Sequence, residues 1–248
     1  MLKKISLLMA LILLLSAILI THSCAQPNYS KSELEEIMLN CQFKKDNAHA
    51  MAEAARGLGY SDDHLIIITA KTEWTAAEEE YQYHKNLYEK LLQEEKMKEW
   101  RKKEKEYPTA CYIWKYFKDL NYNDYVIAGI LGNMMAEAGG QTLDIQYKIY
   151  SSNKKYYGIC QWSMEYYKEV KNASLKEQCE FLCNNIEYEI NTFGYKYQEN
   201  FKFKDFLSLE DAEQAALAFA KSYERCGASS HMQRAQNALV AYEYFKGI

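Results

Sequence analysis

The sequence predicts a mainly α-helical protein, because apolar residues recur at helical spacing along most of the chain. The 248 residues include only 2 prolines and 10 glycines, which are too few for a loop-rich β architecture. Residues that favour helix N-termini precede several of the apolar runs. We divide the chain into an N-terminal targeting segment (residues 1–25), a helical region (26–107) and a C-terminal domain (108–248).

The first 25 residues have the pattern of an export signal. A basic start, Met1 to Lys4, precedes an apolar run from Ile5 to Ile20 and small residues up to Ala25. The run is about sixteen residues long, which is shorter than the roughly twenty that span a bilayer. Cleavage after Ala25 is our first interpretation, and an uncleaved anchor or a lipoprotein at Cys24 stays open. Each of the three predicts an exported chain, secreted or membrane-anchored at the cell wall.

Residues 26–107 predict a helical spacer. The alanine-rich stretch Asn47–Leu58 has one small apolar face, and Ser61 is positioned to cap a second helix with a buried start at Leu65–Ile68. This second helix continues with residues at the spacing of a helix–helix seam: Tyr81, His84, Tyr88 and Leu91. A run rich in Lys and Glu follows to Lys105 and predicts a solvated helix between the membrane and the C-terminal domain.

Five segments of the C-terminal domain predict helices. Cys111–Leu120 is amphipathic, and Asp124 is positioned to cap the apolar run that follows it. The other three open on capping patterns: Ser174 with Glu177, Ser208 with Asp211, and Ser230 with Gln233. We expect the last helix to bury Ala235, Ala238, Leu239 and Tyr242. The irregular stretch Gln141–Tyr157 predicts a small β-hairpin or a long loop.

The most informative segment is GILGNMMAEAGG (Gly129–Gly140), which places one acid at the end of an apolar helix. Glu137 lies three residues after Met134, so it shares a helical face with apolar neighbours. Gly139 and Gly140 are expected to end the helix. Apolar surroundings raise the pKa of a carboxyl, and a general acid needs a raised pKa near neutral pH. The alternative is a solvated glutamate in the last turn.

A later segment, YYGICQW (Tyr156–Trp162), carries groups suited to a sugar. Gly158 allows the backbone to approach a ligand closely, and Gln161 offers both a donor and an acceptor. Trp162 offers a flat apolar face on which a sugar ring could pack. By itself this segment is equally typical of a turn with a core tryptophan.

Three motifs, GNMMAEAGG, YYGICQW and FAKSYERCG, occur in this order and together resemble the phage tail lysozyme domain. The resemblance covers roughly Ala110–Phe245. It implies a lysozyme-like α+β fold with a minimal β element, related to goose-type lysozymes and lytic transglycosylases. The family's catalytic glutamate falls on Glu137, and its Gly-x-x-Gln turn falls on Gly158 and Gln161. Its Tyr-Glu-Arg segment falls on residues 223–225.

Two positions depart from the family's pattern. Ala138 stands where the family usually has Ser after the glutamate, and Cys226 stands where it often has Pro. The first change removes a hydroxyl that could hydrogen-bond near the catalytic carboxyl. The second concerns the path of a loop.

The resemblance implies a muramidase that cleaves the β-1,4 bond between N-acetylmuramic acid and N-acetylglucosamine in peptidoglycan, with Glu137 as general acid. The alternatives are a lytic transglycosylase with the same glutamate and an inactive wall-binding or structural module of a phage tail or conjugation apparatus. No metal or other cofactor is expected. The expected substrate-binding residues are Gly158, Gln161, Trp162 and Tyr223.

A second carboxylate, which glycoside hydrolases normally use, is less defined. Asp144 in the irregular stretch is the first candidate and Glu224 is the second. Glu224 beside Arg225 is more simply explained as a buried ion pair that holds the domain together.

Charge and cysteine content restrict the other function classes. The formal net charge of −4 offers no basic footprint for nucleic acid and disfavours unaided adhesion to an anionic wall. Cys24 would leave with the signal, and the remaining cysteines could form disulfides or fill the core. A cysteine peptidase with Cys160 as nucleophile and His231 as base is the rival chemistry, although GICQWS is not a recognisable nucleophile motif.

Overall fold

A computed structural model describes residues 28–247 of the chain. The expected export signal, with its apolar run Ile5–Ile20, lies outside the described residues. Within residues 28–247, no helix combines the length and the apolar character needed to cross a bilayer. The described residues divide into two units between Glu94 and Glu95, which lie within one long helix.

The prediction of a mainly α-helical protein is confirmed, since residues 28–247 form eight α-helices and one two-stranded sheet. The helices are α1 (Lys31–Gly57), α2 (Leu65–Glu106), α3 (Pro108–Asp119), α4 (Asp124–Ala138), α5 (Leu175–Phe193), α6 (Phe203–Leu207), α7 (Ala212–Phe219) and α8 (His231–Phe245). The strands β1 (Tyr156–Tyr157) and β2 (Trp162–Ser163) pair antiparallel. A π-helical turn, Ala220–Glu224, continues from α7.

The N-terminal unit consists of α1 and the greater part of α2. A capping box of Ser30 and Glu33 opens α1 well before the predicted alanine-rich stretch. The two helices run antiparallel, because Lys44 donates to Glu80 at 2.9 Å and the Tyr88 hydroxyl donates to Glu35 at 2.7 Å. Small or apolar residues are buried at heptad spacing on α1: Leu34, Cys41, Ala48 and Ala55.

Two predictions for the start of α2 are wrong. Of Leu65–Ile68, only Ile67 is buried, because a helix that packs on a single partner covers only one side. Ser61 does not cap the helix, since its hydroxyl donates to the Asp63 carboxylate and α2 begins later, at Leu65. Of the predicted seam further along α2, His84 is buried, and Tyr81, Tyr88 and Leu91 are half-buried.

The last turns of α2 belong to the C-terminal unit rather than to a fully solvated spacer. Trp100 is half-buried against the ring of Phe245, with their centroids 6.3 Å apart. Lys103 donates to the Tyr244 carbonyl and lies 4.1 Å from the centre of that tyrosine ring. These contacts are not predictable from the Lys- and Glu-rich composition, because the aliphatic part of a long cationic side chain can pack on apolar surface while its charge stays exposed.

Helix α4 lies in the core of the C-terminal unit and packs against both α7 and α8. Its cap is Asn123 rather than the predicted Asp124: the Asn123 side chain accepts from the Val126 amide at 2.9 Å. The same side chain donates to the Leu207 carbonyl at 2.8 Å, so the start of α4 is fixed to the α6 region. Buried Asn133 donates to the Gly129 and Ala216 carbonyls, at 2.9 and 3.0 Å, and ties α4 to α7.

The predicted helix starts have mixed outcomes. The Ser174–Glu177 capping box of α5 is confirmed, with the Ser174 amide 2.7 Å from the Glu177 carboxylate. Helix α7 is capped by Asp211, which accepts from the Gln214 amide at 2.8 Å, and not by Ser208. Helix α8 has no side-chain cap at Ser230, whose backbone is itself helical.

The buried face of α8 differs from the prediction. Leu239 is exposed, while Arg234 and Asn237 are buried. These two polar side chains face α4, where hydrogen bonds satisfy them. The irregular stretch 141–157 is mainly loop, and the small sheet forms at its end, on either side of the Gly158 turn.

Candidate active site

Glu137 lies in the last turn of α4, at the end of a helix whose preceding residues are almost all buried. Gly139 is the C-cap, and Gly140 adopts a left-handed conformation (φ +56°), so the two glycines end the helix as predicted. The Glu137 side chain is 22% exposed. It is therefore neither fully buried nor a solvated surface glutamate.

Arg234 of α8 is the partner of Glu137. Its guanidinium forms an ion pair with the Glu137 carboxylate through Nη2 and donates from Nη1 to Asn133 Oδ1 at 3.1 Å. This contact depends on close packing of the two helices, because a Cβ at Gly132 would lie 2.6 Å from the Ala238 backbone nitrogen. A buried guanidinium is stabilised by several acceptors, so the arrangement fixes the position of Glu137.

The turn after β1 places Gly158 and Gln161 in left-handed conformations, with φ of +84° and +46°. The close approach at Gly158 is to the side chain of Gln178, since a Cβ would lie 2.3 Å from its Oε1. Gln161 donates to the Gly158 carbonyl at 2.9 Å, and this bond closes the turn. The sequence-predicted Gly-x-x-Gln element is thus a turn whose own hydrogen bonds hold it.

Trp162 and Tyr223 are joined across the site. The indole Nε1 donates to the Tyr223 hydroxyl at 2.9 Å. Both residues are buried, and Trp162 packs edge-on against Phe181 while Tyr223 stacks on Phe219. Burial raises the pKa of the Tyr223 hydroxyl well above its usual value. Trp162 is therefore mainly a core tryptophan, which is the alternative that the sequence left open.

The expected Glu224–Arg225 ion pair does not form. Arg225 adopts a left-handed conformation (φ 53°), and its Nη1 lies 3.2 Å from Glu189 Oε2, while its guanidinium lies 4.5 Å from the centre of the Phe193 ring. Glu224 ends the π-helical turn, and its Oε1 is buried without a hydrogen-bond partner among residues 28–247. Burial, and next the charge of Glu137, raise the pKa of Glu224 to about 8.

A cleft of about 470 Å³ lies between the turn and the end of the π-helix. It is lined by Tyr156, Cys160, Gln161, Trp162, Ser163, Tyr166, Tyr167, Glu189, Tyr223, Glu224 and Arg225. Exposed tyrosine rings beside buried polar groups suit a carbohydrate, which presents apolar ring faces and hydroxyls. Two of the lining residues, Gln161 and Arg225, have positive φ. Residues other than glycine rarely adopt this conformation, and those that do are often found at functional sites.

The structure brings together some of the sequence-predicted residues and not others. Gln161, Trp162 and Tyr223 line the cleft. Gly158 does not line it, but its carbonyl accepts the hydrogen bond from Gln161 that closes the turn. Glu137 is not among the lining residues, but its charge acts on two that are, Glu224 and Cys160. Asp144 is exposed in the loop, accepts from Gln146 at 2.8 Å and lies outside the cleft.

The comparison with protein-family models finds a match to the phage tail lysozyme family over residues 108–245. The match covers more than half of the chain and includes α3 to α8 with the whole cleft. The chain belongs to the phage tail lysozyme family. Membership indicates a lysozyme-like enzyme that acts on peptidoglycan. A search of curated proteins finds no match to the chain.

Within this lysozyme-family domain, Cys160 and His231 do not resemble a peptidase pair. Burial raises the pKa of the Cys160 thiol well above its usual value, whereas a nucleophilic cysteine needs a lowered one. The His231 ring contacts the Cys226 carbonyl at 3.3 Å. The six cysteines among the described residues are free thiols, and Cys160, Cys179, Cys111 and Cys41 are buried.

The sequence pattern does not single out two residues of this lysozyme-family site, Arg234 and Glu189. Arg234 precedes Ala235 in the part of α8 that the apolar pattern assigned to the core. A charged residue at such a position is rarely buried without a partner, and this is the signal that could have identified it. Glu189 follows two exposed positions on α5 and carries no such signal. Its place beside Arg225 depends on the left-handed turn at residue 225, which the sequence does not specify.

Proposed function

We propose that this chain is a muramidase, which cleaves the β-1,4 bond between N-acetylmuramic acid and N-acetylglucosamine with Glu137 as general acid. The observation that carries the proposal is the family match over a domain in which Glu137 ends the core helix α4 and is held by buried Arg234. The role is to protonate the glycosidic oxygen as its bond to the sugar carbon breaks.

This chain has Ala138 where the family usually has Ser, but the Glu137 carboxyl still has a hydrogen-bond partner. Ala138 is buried, and Glu137 takes its hydrogen bond from Arg234 Nη2 instead. This ion pair supports a working site over an inactive binding module, because a buried cation opposite a partly exposed carboxylate positions that carboxylate accurately.

Glycan binding is assigned to the cleft. Gln161 and Tyr223 line it, and the exposed rings of Tyr156 and Tyr166 offer faces on which sugar rings could pack. Trp162 and Gly158 contribute to binding mainly by holding the turn in its conformation. Trp162 does so through its hydrogen bond to Tyr223, and Gly158 does so by allowing the close approach of Gln178.

The test is release of soluble glycan from dye-stained peptidoglycan by the wild type, Glu137→Gln and Glu187→Gln. Glu187 is an exposed acid on α5 and serves as the matched control. We expect Glu137→Gln to lose at least about 100-fold in rate, the usual contribution of a general acid, and Glu187→Gln to keep the wild-type rate. Wild-type release that survives Glu137→Gln would remove Glu137 from the mechanism.

The same glutamate would also serve a lytic transglycosylase, in which a sugar hydroxyl attacks internally. The masses of the released muropeptides separate the two reactions, because the anhydro product is lighter by one water. Our proposal is hydrolysis, since Glu224, which lines the cleft, provides a carboxyl in addition to Glu137. Anhydro products alone would favour the transglycosylase with the same acid.

A further inference from the structure

Glu224 is a cleft carboxyl with no ion pair among the described residues. Glu224 is the last residue of the π-helical turn that follows α7, and the left-handed backbone at Arg225 directs the Arg225 side chain away from it, toward Glu189 and Phe193. Its Oε1 is buried and has no hydrogen-bond partner within residues 28–247. An ionised carboxylate in such a place is strongly disfavoured, so this geometry suits a protonated carboxyl.

Charged and titratable groups of several elements surround Glu224. Glu137 comes from α4, Arg234 from α8, Cys160 from the turn and Glu189 from α5, while Tyr223 and Arg225 are its neighbours in the chain. Burial and then the Glu137 charge raise its pKa, and Arg234, Cys160 and Arg225 oppose them. Both cations already have carboxylate partners, since Arg234 pairs with Glu137 and Arg225 pairs with Glu189, so neither forms an ion pair with Glu224.

We infer that Glu224 is the proton-holding partner of Glu137, and that the two carboxyls carry a single proton between them in the unliganded cleft. Two interacting carboxyls titrate as a pair, and one proton on the pair leaves one acid and one carboxylate. The structure assigns the proton to Glu224, whose Oε1 is buried and unpaired, because the Glu137 carboxylate already pairs with Arg234. The function of this proton in turnover rests on the proposed muramidase activity, whereas its location does not.

In turnover, the proton on Glu224 passes to Glu137, which donates a proton to the glycosidic oxygen as the carbon–oxygen bond breaks. The departing sugar leaves as an alcohol, and Glu224 is now a carboxylate. Water forms the new bond to the sugar carbon and gives up a proton to Glu224. One water is consumed, and both carboxyls return to their starting states. Glu224 therefore acts through Glu137 in the first step and on water in the second.

The location of the proton is tested by infrared spectroscopy of the full chain in the absence of substrate. A protonated carboxyl has a carbonyl stretch distinct from that of carboxylates, and we expect this band at neutral pH and its loss well above the pKa of about 8. The band should be absent in Glu224→Gln and present in Glu187→Gln. In Glu137→Gln it should disappear at a lower pH, because the negative charge of Glu137 is gone.

The function of the proton is tested by the pH dependence of kcat/KM for muropeptide release. We expect the wild-type rate to fall on the alkaline side as Glu224 loses its proton. Glu224→Gln should be slower by about 100-fold and should lose this alkaline limb, because amide hydrogens do not titrate in this range. Glutamine matches glutamate in size, so the variant should fold, and its far-ultraviolet circular dichroism checks this.

Each outcome decides the inference. A neutral-pH carboxyl band that persists in Glu224→Gln places the proton elsewhere and overturns it. An equal loss of rate at every pH, with the alkaline limb kept, shows a structural role and also overturns it. If the wild type cleaves no glycan, the proposed activity fails, but the infrared band still shows whether Glu224 holds the proton.

Discussion

Removing Arg234 should destabilise the lysozyme-family domain because it leaves Glu137 as an unpaired carboxylate. Breaking a buried ion pair from one side costs about 3–5 kcal/mol. The Arg234 side chain is 5% exposed but that of Glu137 is 22% exposed, so Arg234→Met should cost about 3 kcal/mol, the lower end of that range. For a domain of this size, that loss corresponds to a fall in Tm of about 6–12 °C.

A double-mutant cycle separates the ion pair from the packing of the arginine stem. Glu137→Gln should cost about 2 kcal/mol, and the double variant should be more stable than additivity predicts by about 2 kcal/mol, because no charge is left unpaired. The assay is urea unfolding followed by near-ultraviolet circular dichroism. Lys115→Met, which removes an exposed ion pair with Asp119, is the control and should leave the transition unchanged. Additivity within about 0.5 kcal/mol would refute the coupling.

Three further predictions concern the cleft. Gly158→Ala should lower the free energy of unfolding by more than about 1 kcal/mol, because φ is +84° and a Cβ would meet Gln178 at 2.3 Å; an unchanged urea midpoint would contradict this. Tyr223→Phe should cost about 1–3 kcal/mol, since the buried Trp162 indole loses its acceptor, and thermal unfolding measures this loss. Glu224 binds a proton more tightly in the folded than in the unfolded chain, so wild-type stability should fall as pH rises from about 4.5 to about 8. Glu224→Gln should remove this slope, and a slope equal to that of the wild type would exclude Glu224 as its source.

Much of the fold follows from the sequence, because the relevant interactions are local. The Ser174–Glu177 capping box and the glycine break after Glu137 are set by a few neighbouring residues, and both form as predicted. The cap of α4 was assigned one residue too late, since Asn123 also bonds a distant carbonyl at Leu207. That tertiary bond decides between two adjacent capping residues that are equally suitable by type.

The candidate site is less predictable, because its electrostatics depend on contacts between distant segments. The sequence points to Glu137, yet its partner Arg234 comes from a helix 97 residues further along the chain. The sequence also gives no sign that burial raises the pKa of Glu224, which a π-helical turn and a left-handed Arg225 place in the cleft. Neither backbone feature has a sequence signal as specific as a capping box.

The most direct test of the account uses peptide-free glycan strands, which offer a peptidase nothing to cleave. The strands are incubated with the wild type, Glu137→Gln and Glu187→Gln, and the products are weighed by mass spectrometry. If Glu137 is the general acid of a muramidase, the wild type and Glu187→Gln shorten the strands to fragments with new reducing ends, and Glu137→Gln leaves them intact. Strands left intact by the wild type under conditions in which it solubilises whole peptidoglycan would contradict glycan cleavage.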